Sequence, residues 1–232
     1  MNWKLPAIVV LFCVTVFGHA FTARSQQSAE LTAADEKWID QIIGVENSGI
    51  VNGVEYKMSV AATGNPFYEA GEVNGIVRYA GHTYHVPLLY DIYKDELVVK
   101  HLSATGVAWF IQLDKKVVDE FSFSNRLFRT FDRGYHEVMF EGSDFMLLAK
   151  RSKISQLKRG VSVYDRYDEF FLFDSSRWKR ITGKSGFRSL LTDKQDRDSL
   201  NEFIRQNRLK LKKSREKDFV KAANYVNTLR NR

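Results

Sequence analysis

The stretch Thr182-Gly183-Lys184-Ser185 has the residue types that end a phosphate-binding P-loop, where backbone N–H groups, a lysine and a hydroxyl hold the phosphates of a nucleotide. Such a loop also needs a glycine five positions before its Gly-Lys pair, so that the backbone can bend around the phosphates. Trp178 stands at that position. The sequence therefore predicts no nucleotide site here, and instead a turn from a strand into a helix with Ser185 as the helix cap.

Nucleophiles and metal ligands do not occur at productive spacings. The serine-hydrolase motif Gly-x-Ser-x-Gly is approached at 160–164 and at 183–187, but both stretches lack the final glycine. His82 and His85 are three residues apart, and on a strand this spacing sends the two rings to opposite faces of the sheet. Cys13, the single cysteine, lies in an apolar N-terminal run. We therefore predict no catalytic residue, no metal site and no cofactor.

Carboxylates offer one alternative. Tyr90–Glu96 and Tyr164–Glu169 both place acidic residues directly ahead of an apolar strand. Two carboxylates about 5 to 10 Å apart can hydrolyse a glycosidic bond, but the same residue types also form ordinary hairpin turns. We expect turns. The alternative is a surface-glycan hydrolase that uses two of six residues: Asp91, Asp95, Glu96, Asp165, Asp168 and Glu169.

A basic stretch near the C-terminus is the candidate binding surface. Its seven cations are Arg205, Arg208, Lys210, Lys212, Lys213, Arg215 and Lys217. On an exported protein this patch could contact acidic polysaccharide, anionic lipid headgroups or an acidic protein partner. The stretch lacks the interleaved aromatic residues of a platform for single-stranded nucleic acid, so we predict no nucleic-acid partner. The alternative is a solvated helix junction without a ligand.

Short segments rich in Val, Ile, Tyr, Phe and Trp alternate with turn residues between about residue 50 and residue 181. The predicted strands are 50–58, 73–79, 83–93, 96–101, 107–113, 117–123, 127–131, 135–141, 144–151, 169–174 and 177–181. Their short connections favour antiparallel pairing of neighbours, because parallel pairing needs a long crossover. We therefore predict an α+β fold. A mostly antiparallel β-meander, forming a curved sheet, a half-barrel or two layers, is followed by two or three C-terminal α-helices.

After residue 186 the apolar residues take the spacing of amphipathic helices. One helix carries Leu200, Phe203 and Ile204, with Asp196 and Asp198 as candidate caps. A second helix, predicted to open at Ser214, carries Phe219, Ala222, Ala223, Val226 and Leu229. We expect these apolar stripes to pack on the sheet.

The N-terminus has the three parts of a secretory signal peptide: a cation at Lys4, an apolar run at 5–17, and small residues at Gly18 and Ala20. The run is shorter than the roughly 20 residues of a membrane-spanning helix, so we predict cleavage and no transmembrane span afterwards. The expected organisation is a signal peptide (1–20), a flexible or partly helical lead-in (21–45), an antiparallel β domain (46–183) and a basic helical segment packed on the sheet (184–232). The protein is expected to be exported, to the periplasm or outside the cell.

Charge divides the mature chain. Residues 21–149 hold 11 Lys and Arg against 18 Asp and Glu, a net charge of −7, whereas residues 150–232 hold 23 against 10, a net charge of +13. An acidic sheet is therefore expected to precede basic helices.

Several stretches together resemble a protein family. They are Tyr90–Leu97, Gly134–Val138, Leu147–Arg151, Ile181–Ser189 and Phe203–Lys210. Over most of its mature length the chain resembles a family of exported, uncharacterised proteins of Bacteroidetes-type bacteria, whose pattern includes a Lys-Ser turn and a closing pair of helices. The resemblance implies an exported compartment and this layout, and it implies no catalytic residue.

These observations favour a non-enzymatic envelope protein. The abundant Phe and Tyr on the strands would suit a curved sheet that holds an apolar ligand, or one that binds a protein partner. The glycan hydrolase is the alternative from another class, and a structural or assembly partner without a ligand is the third possibility.

Overall fold

The computed structural model describes residues 53–58, 62–102 and 106–232. The predicted signal peptide and lead-in lie outside these residues. The strands are β1 (Gly53–Glu55), β2 (Val73–Tyr79), β3 (His82–Asp91), β4 (Glu96–Leu102), β5 (Ala108–Leu113), β6 (Val118–Phe123), β7 (Arg126–Phe131), β8 (Gly134–Glu141), β9 (Phe145–Lys150), β10 (Lys153–Lys158), β11 (Val161–Arg166), β12 (Glu169–Asp174) and β13 (Arg177–Ile181). The helices are α1 (Lys184–Arg188), α2 (Lys194–Gln206) and α3 (Glu216–Arg230).

Eleven of these strands form one antiparallel sheet in the order β1-β5-β4-β3-β2-β6-β7-β8-β9-β12-β13. β2 to β5 run as a meander, β6 then returns to pair with the free side of β2, and the meander resumes through β9. β10 and β11 form a separate hairpin before β12 pairs with β9. The predicted α+β class, a mostly antiparallel meander followed by C-terminal helices, is confirmed.

The sheet is strongly curved. β3 and β8 are four strand spacings apart, which is roughly 19 Å in a flat sheet. The rings of Tyr90 on β3 and Tyr135 on β8 nevertheless lie 5.8 Å apart, edge to face. One face is therefore concave, and side chains from distant strands meet inside it.

Aromatic side chains fill this concave face. Phe121 and Phe128 stack with ring centroids 4.9 Å apart, and Phe123 stacks on Phe128 at 5.2 Å. Tyr90 and Tyr135 complete the cluster, and all five side chains are buried. The aromatic residues that were expected to receive an apolar ligand thus contact one another.

The three helices cover the other end of the same face. Phe128 pairs with Glu137, and Glu137 pairs with Ala149, so these side chains point to one side of the sheet. Ala149 belongs to a second apolar core with Phe170 of β12 and Phe219 of α3. Six of the helix residues predicted to pack inward are buried: Leu200, Phe219, Ala222, Ala223, Val226 and Leu229. The other two, Phe203 and Ile204, are half-buried.

The predicted helix caps were wrong in their positions. Asp193, rather than Asp196 or Asp198, caps α2, because its Oδ1 accepts a hydrogen bond from the Gln195 N–H at 2.7 Å. Ser185 lies in the first turn of α1, whose N-cap is Gly183. The N-cap of α3 is Arg215, and no side chain there accepts a capping bond. The first two helices thus begin one or more residues earlier than the candidate cap residues suggested.

None of the helices in the described ranges is long and apolar enough to cross a membrane.

Candidate anion-binding cleft

A cleft of about 1110 Å³ opens where the sheet meets α3 and the loop that precedes it. The sheet contributes residues of β7 and β8, the separate hairpin contributes Arg166 of β11, and the helix contributes its first two turns. The lining residues include Tyr68, Arg126, Glu137, Arg166, Asp168, Lys213, Arg215, Glu216, Lys217, Asp218 and Lys221. The cleft is therefore lined mainly by charged side chains.

Arg151 lies beneath the cleft with a fully buried side chain. Its Nε donates to Glu137 at 2.5 Å, and its Nη1 donates to Asp168 at 2.7 Å. Glu216 at the start of α3 accepts from both terminal nitrogens, at 2.6 Å from Nη1 and 2.9 Å from Nη2. One guanidinium thus joins β8, the β11–β12 connection and α3.

Two further arginines complete this network. Arg126 donates to Glu137 at 2.6 Å, and Arg166 donates to Asp168 at 2.9 Å. Both guanidinium groups also lie over the Tyr68 ring, at 5.6 and 4.6 Å from its centroid. We call these six residues the Arg151 network: Arg126, Glu137, Arg151, Arg166, Asp168 and Glu216. Its three cations and three carboxylates cancel in formal charge.

Ion pairing dominates the protonation of this network. Burial by itself would raise the pKa of Glu216, but the hydrogen bond and the positive charge of Arg151 outweigh it, and the pKa lies below the ordinary value. Burial would lower the pKa of Arg151, yet Glu216 and Glu137 raise it further above its already high value. Glu216 and Arg151 are therefore both charged at neutral pH.

Three lysines on the rim add positive charge to the cleft. Lys213, Lys217 and Lys221 recur every four residues, and on α3 this spacing puts Lys217 and Lys221 on one side of the helix. Arg215 is paired with Asp218 at 2.9 Å. Within the described part of the chain the three lysines form no ion pair, and Lys213 Nζ lies 4.5 Å from the Tyr167 ring centroid. We call these residues the lysine stripe.

Only part of the predicted basic patch lies in the cleft. Lys213, Arg215 and Lys217 line the cleft. Arg205, Arg208, Lys210 and Lys212 lie outside it and are exposed, with Arg205 paired to Glu202 at 2.6 Å. Sequence reasoning missed Lys221, although its four-residue spacing from Lys217 was a usable signal. It also missed Arg126, Arg151 and Arg166, which belong to strands or their ends and are brought together only by the fold.

Of the six predicted carboxylates, only Asp168 lines the cleft. Asp91 and Glu96 lie opposite each other on β3 and β4, outside it. Asp91 is buried in the β3–β4 turn and accepts from the Tyr56 hydroxyl at 2.5 Å. Asp95 pairs with Lys115 at 2.7 Å and Lys150 at 2.8 Å. Asp165 is paired with Lys158, and Glu169 is paired with Arg180. Burial raises the pKa of Glu96. Asp91 to Glu96 form the predicted turn, whereas Tyr164–Arg166 belongs to β11.

The other sequence candidates lie apart from the cleft. Lys184 and Ser185 are exposed in the first turn of α1. His82 and His85 are exposed on β3. Across the described ranges, no group of three or more His, Cys, Asp or Glu side chains is arranged to hold a metal ion.

Comparison of the chain with protein-family models, with curated proteins and with solved structures finds no match.

Proposed function

We propose that this chain is a non-enzymatic exported protein that binds an anionic ligand of the cell envelope in the cleft. The lysine stripe carries this proposal. Because the Arg151 network is neutral and Arg215 is paired with Asp218, Lys213, Lys217 and Lys221 supply an excess of three positive charges at the rim. Lysines that form no ion pair with the described residues, and that lie beside a concave surface, favour a ligand that brings the negative charge.

The shape of the cleft indicates the size of the ligand. Its volume of about 1110 Å³ is at the upper end of the range for small-molecule sites, roughly 300 to 1,000 Å³. A concave site favours a molecule, or one unit of a polymer, over a flat membrane surface. Phosphate and carboxylate groups fit both the lysine ammonium groups and the guanidinium groups below them.

The packing of the concave face argues against the apolar carrier expected from the sequence. A lipid site needs apolar side chains that line empty space, but Phe121, Phe128 and Tyr135 are buried against one another. The ligand is therefore sought in the charged cleft.

The placement of the predicted carboxylates argues against the glycan hydrolase. That reaction needs two carboxyl groups in one cleft. Asp168 is the only one of the six predicted carboxylates that lines the cleft, and it accepts hydrogen bonds from Arg151 and Arg166.

Export belongs to the proposal as well. It rests on the signal-peptide pattern at residues 1–20 and on the resemblance to exported Bacteroidetes-type proteins. An anionic envelope component, such as an acidic or phosphorylated glycan, is the ligand class that this compartment offers.

Calorimetric titration with two probes, sodium tripolyphosphate and polygalacturonate, tests the proposal, with neutral dextran as the blank. The triple variant Lys213→Gln, Lys217→Gln, Lys221→Gln removes the stripe. Exposed pairs contribute about 0.2 to 1 kcal/mol each, so the loss of three should weaken binding about tenfold.

The matched control removes three exposed lysines outside the cleft: Lys179, Lys184 and Lys194, each changed to Gln. It has the same net charge as the stripe variant and should bind within twofold of the wild type. Equal weakening by both triple variants would show general charge attraction rather than a binding site. Absence of binding to both probes would favour the alternative of an assembly partner without a ligand.

A further inference from the structure

Glu216 is the carboxylate of the Arg151 network that is paired with one arginine, whereas the other two are each paired with two. Glu137 accepts from Arg126 as well as Arg151, and Asp168 accepts from Arg166 as well as Arg151. Among the described residues, Glu216 is paired with Arg151 alone. Its release from the network would therefore break the fewest ion pairs.

Glu216 also separates Arg151 from the cleft. The Arg151 side chain is fully buried, whereas the Glu216 side chain is 32% exposed. Glu216 is the first residue of α3, and the Arg215 N-cap before it makes no side-chain capping bond. Rotation of one side chain at this helix end would open the guanidinium to the cleft.

The geometry of this pair is the one that a ligand anion would use. Both Glu216 oxygens accept from the guanidinium, at 2.6 Å from Nη1 and 2.9 Å from Nη2. A ligand carboxylate or phosphate offers the same two oxygens to the same fork. Lys217, the next residue along α3, lines the same cleft.

We propose that Glu216 is an internal substitute for the ligand: on binding, an anionic group of the ligand displaces the Glu216 carboxylate from Arg151, and a second anionic group contacts the lysine stripe. This inference rests on the proposed function. It narrows the ligand class to molecules with two or more phosphate or carboxylate groups. On this proposal Glu216 lowers the affinity of the cleft for its ligand, because the ligand must compete with the Glu216 carboxylate for Arg151.

The Glu216→Gln variant tests the inference by removing the competing charge while keeping the size of the side chain. Tripolyphosphate and polygalacturonate should bind about tenfold more tightly to this variant than to the wild type. Glu202→Gln is the matched control, since Glu202 is also a helical glutamate paired with one arginine, Arg205, and it lies outside the cleft. Its affinity should stay within twofold of the wild type.

A second measurement uses the unmodified side chain. In ¹³C NMR titrations the Glu216 carboxyl pKa should rise toward its ordinary value when tripolyphosphate saturates the protein, because the carboxylate loses Arg151. An unchanged pKa, or binding by Glu216→Gln that is equal to or weaker than that of the wild type, would overturn the inference. If the lysine-stripe variant still weakened binding in that case, the proposed function would stand. If neither wild type nor Glu216→Gln bound either probe, both proposals would fall.

Discussion

Replacement of Arg151 by Met should destabilise the folded protein strongly, because it removes the central cation of a buried network. The side chain is fully buried, and its guanidinium donates four hydrogen bonds to Glu137, Asp168 and Glu216. Met fills much of the same volume but donates none of these bonds. The variant therefore leaves three carboxylates around an apolar side chain.

The expected loss follows from burial. Removal of one partner from a buried ion pair costs about 3 to 5 kcal/mol, because the remaining charge is left uncompensated in a poorly solvated site. Here Glu137 keeps Arg126 and Asp168 keeps Arg166, so we expect about 3 kcal/mol at pH 7.5. That is a large part of the about 5 to 15 kcal/mol by which most domains are stable.

The loss should also depend on pH. In the wild type the pKa of Glu216 is lowered, so this carboxylate stays ionised down to pH 5 and its contribution is constant from pH 7.5 to pH 5. In the variant, burial of Glu216 without Arg151 raises the pKa of this carboxyl above its value in the unfolded chain. The folded variant then binds more protons than its unfolded form, and its deficit should shrink as the pH falls from 7.5 to 5.

Urea unfolding, followed by tryptophan fluorescence and circular dichroism at both pH values, measures the free energy of unfolding. Arg129→Met is the matched control, since Arg129 also pairs with two carboxylates, Glu120 and Glu141, but its side chain is 30% exposed. Such pairs contribute about 0.2 to 1 kcal/mol. An Arg151→Met deficit as small as that of the control, or one that does not change between pH 7.5 and pH 5, would contradict this prediction.

Two further predictions concern Gly134 and His136. Gly134→Ala should lower the free energy of unfolding at least twice as much as Gly160→Ala. Both glycines have positive φ, at +88° and +81°. A Cβ on Gly134 would lie 2.1 Å from Asp95 Oδ2, whereas a Cβ on Gly160 would meet open space. Thermal unfolding checks this, with about 1 to 2 kcal/mol expected for the backbone strain at Gly160 alone. His136 is buried beside Trp178, and burial lowers its pKa to about 4, so NMR should find a neutral ring at pH 5. Since an unfolded histidine titrates near 6.5, this residue should reduce stability as the pH falls from about 6.5 to 4, and a ring that titrates near 6.5 in the folded protein would contradict the prediction.

The sheet could be predicted strand by strand because its signals are local. Val73–Tyr79 and Glu169–Asp174 match their predicted bounds, since β-branched and aromatic residues there are flanked by turn residues. The β10–β11 hairpin was missed, because none of its residues is fully buried: Lys153–Lys158 is mostly exposed, and Val161–Arg166 is exposed or half-buried. Periodicity reports burial, so a strand outside the core leaves little trace.

Long-range features of the fold escaped prediction for a different reason. The return of β6 to pair with β2 places Val77 opposite Phe121, 44 positions along the chain, and no local pattern encodes that choice. Curvature likewise depends on side chains from β3 and β8 that meet inside the sheet. The candidate site could likewise be predicted only in part. Lys213 and Lys217 belong to a basic stretch that is evident in the sequence. Arg151 follows an apolar strand, and nothing in the local sequence indicates that its side chain is buried.

The Arg151 network joins residues from the acidic part and the basic part of the chain. Glu137 lies between Tyr135 of the aromatic core and Met139 beside the helix-covered core, so the network fills the boundary between the two apolar clusters. Well-packed apolar residues at such a boundary would often be at least as stable as buried ion pairs. The network also leaves Asp168 Oδ1 buried without a hydrogen-bond partner among the described residues, which is a cost of about 1 to 3 kcal/mol. Stability alone therefore gives a weak account of this arrangement. A role in binding explains the network better. A ligand carboxylate can replace an internal carboxylate only where a guanidinium lies beneath the lysine stripe, and an apolar boundary offers no such group.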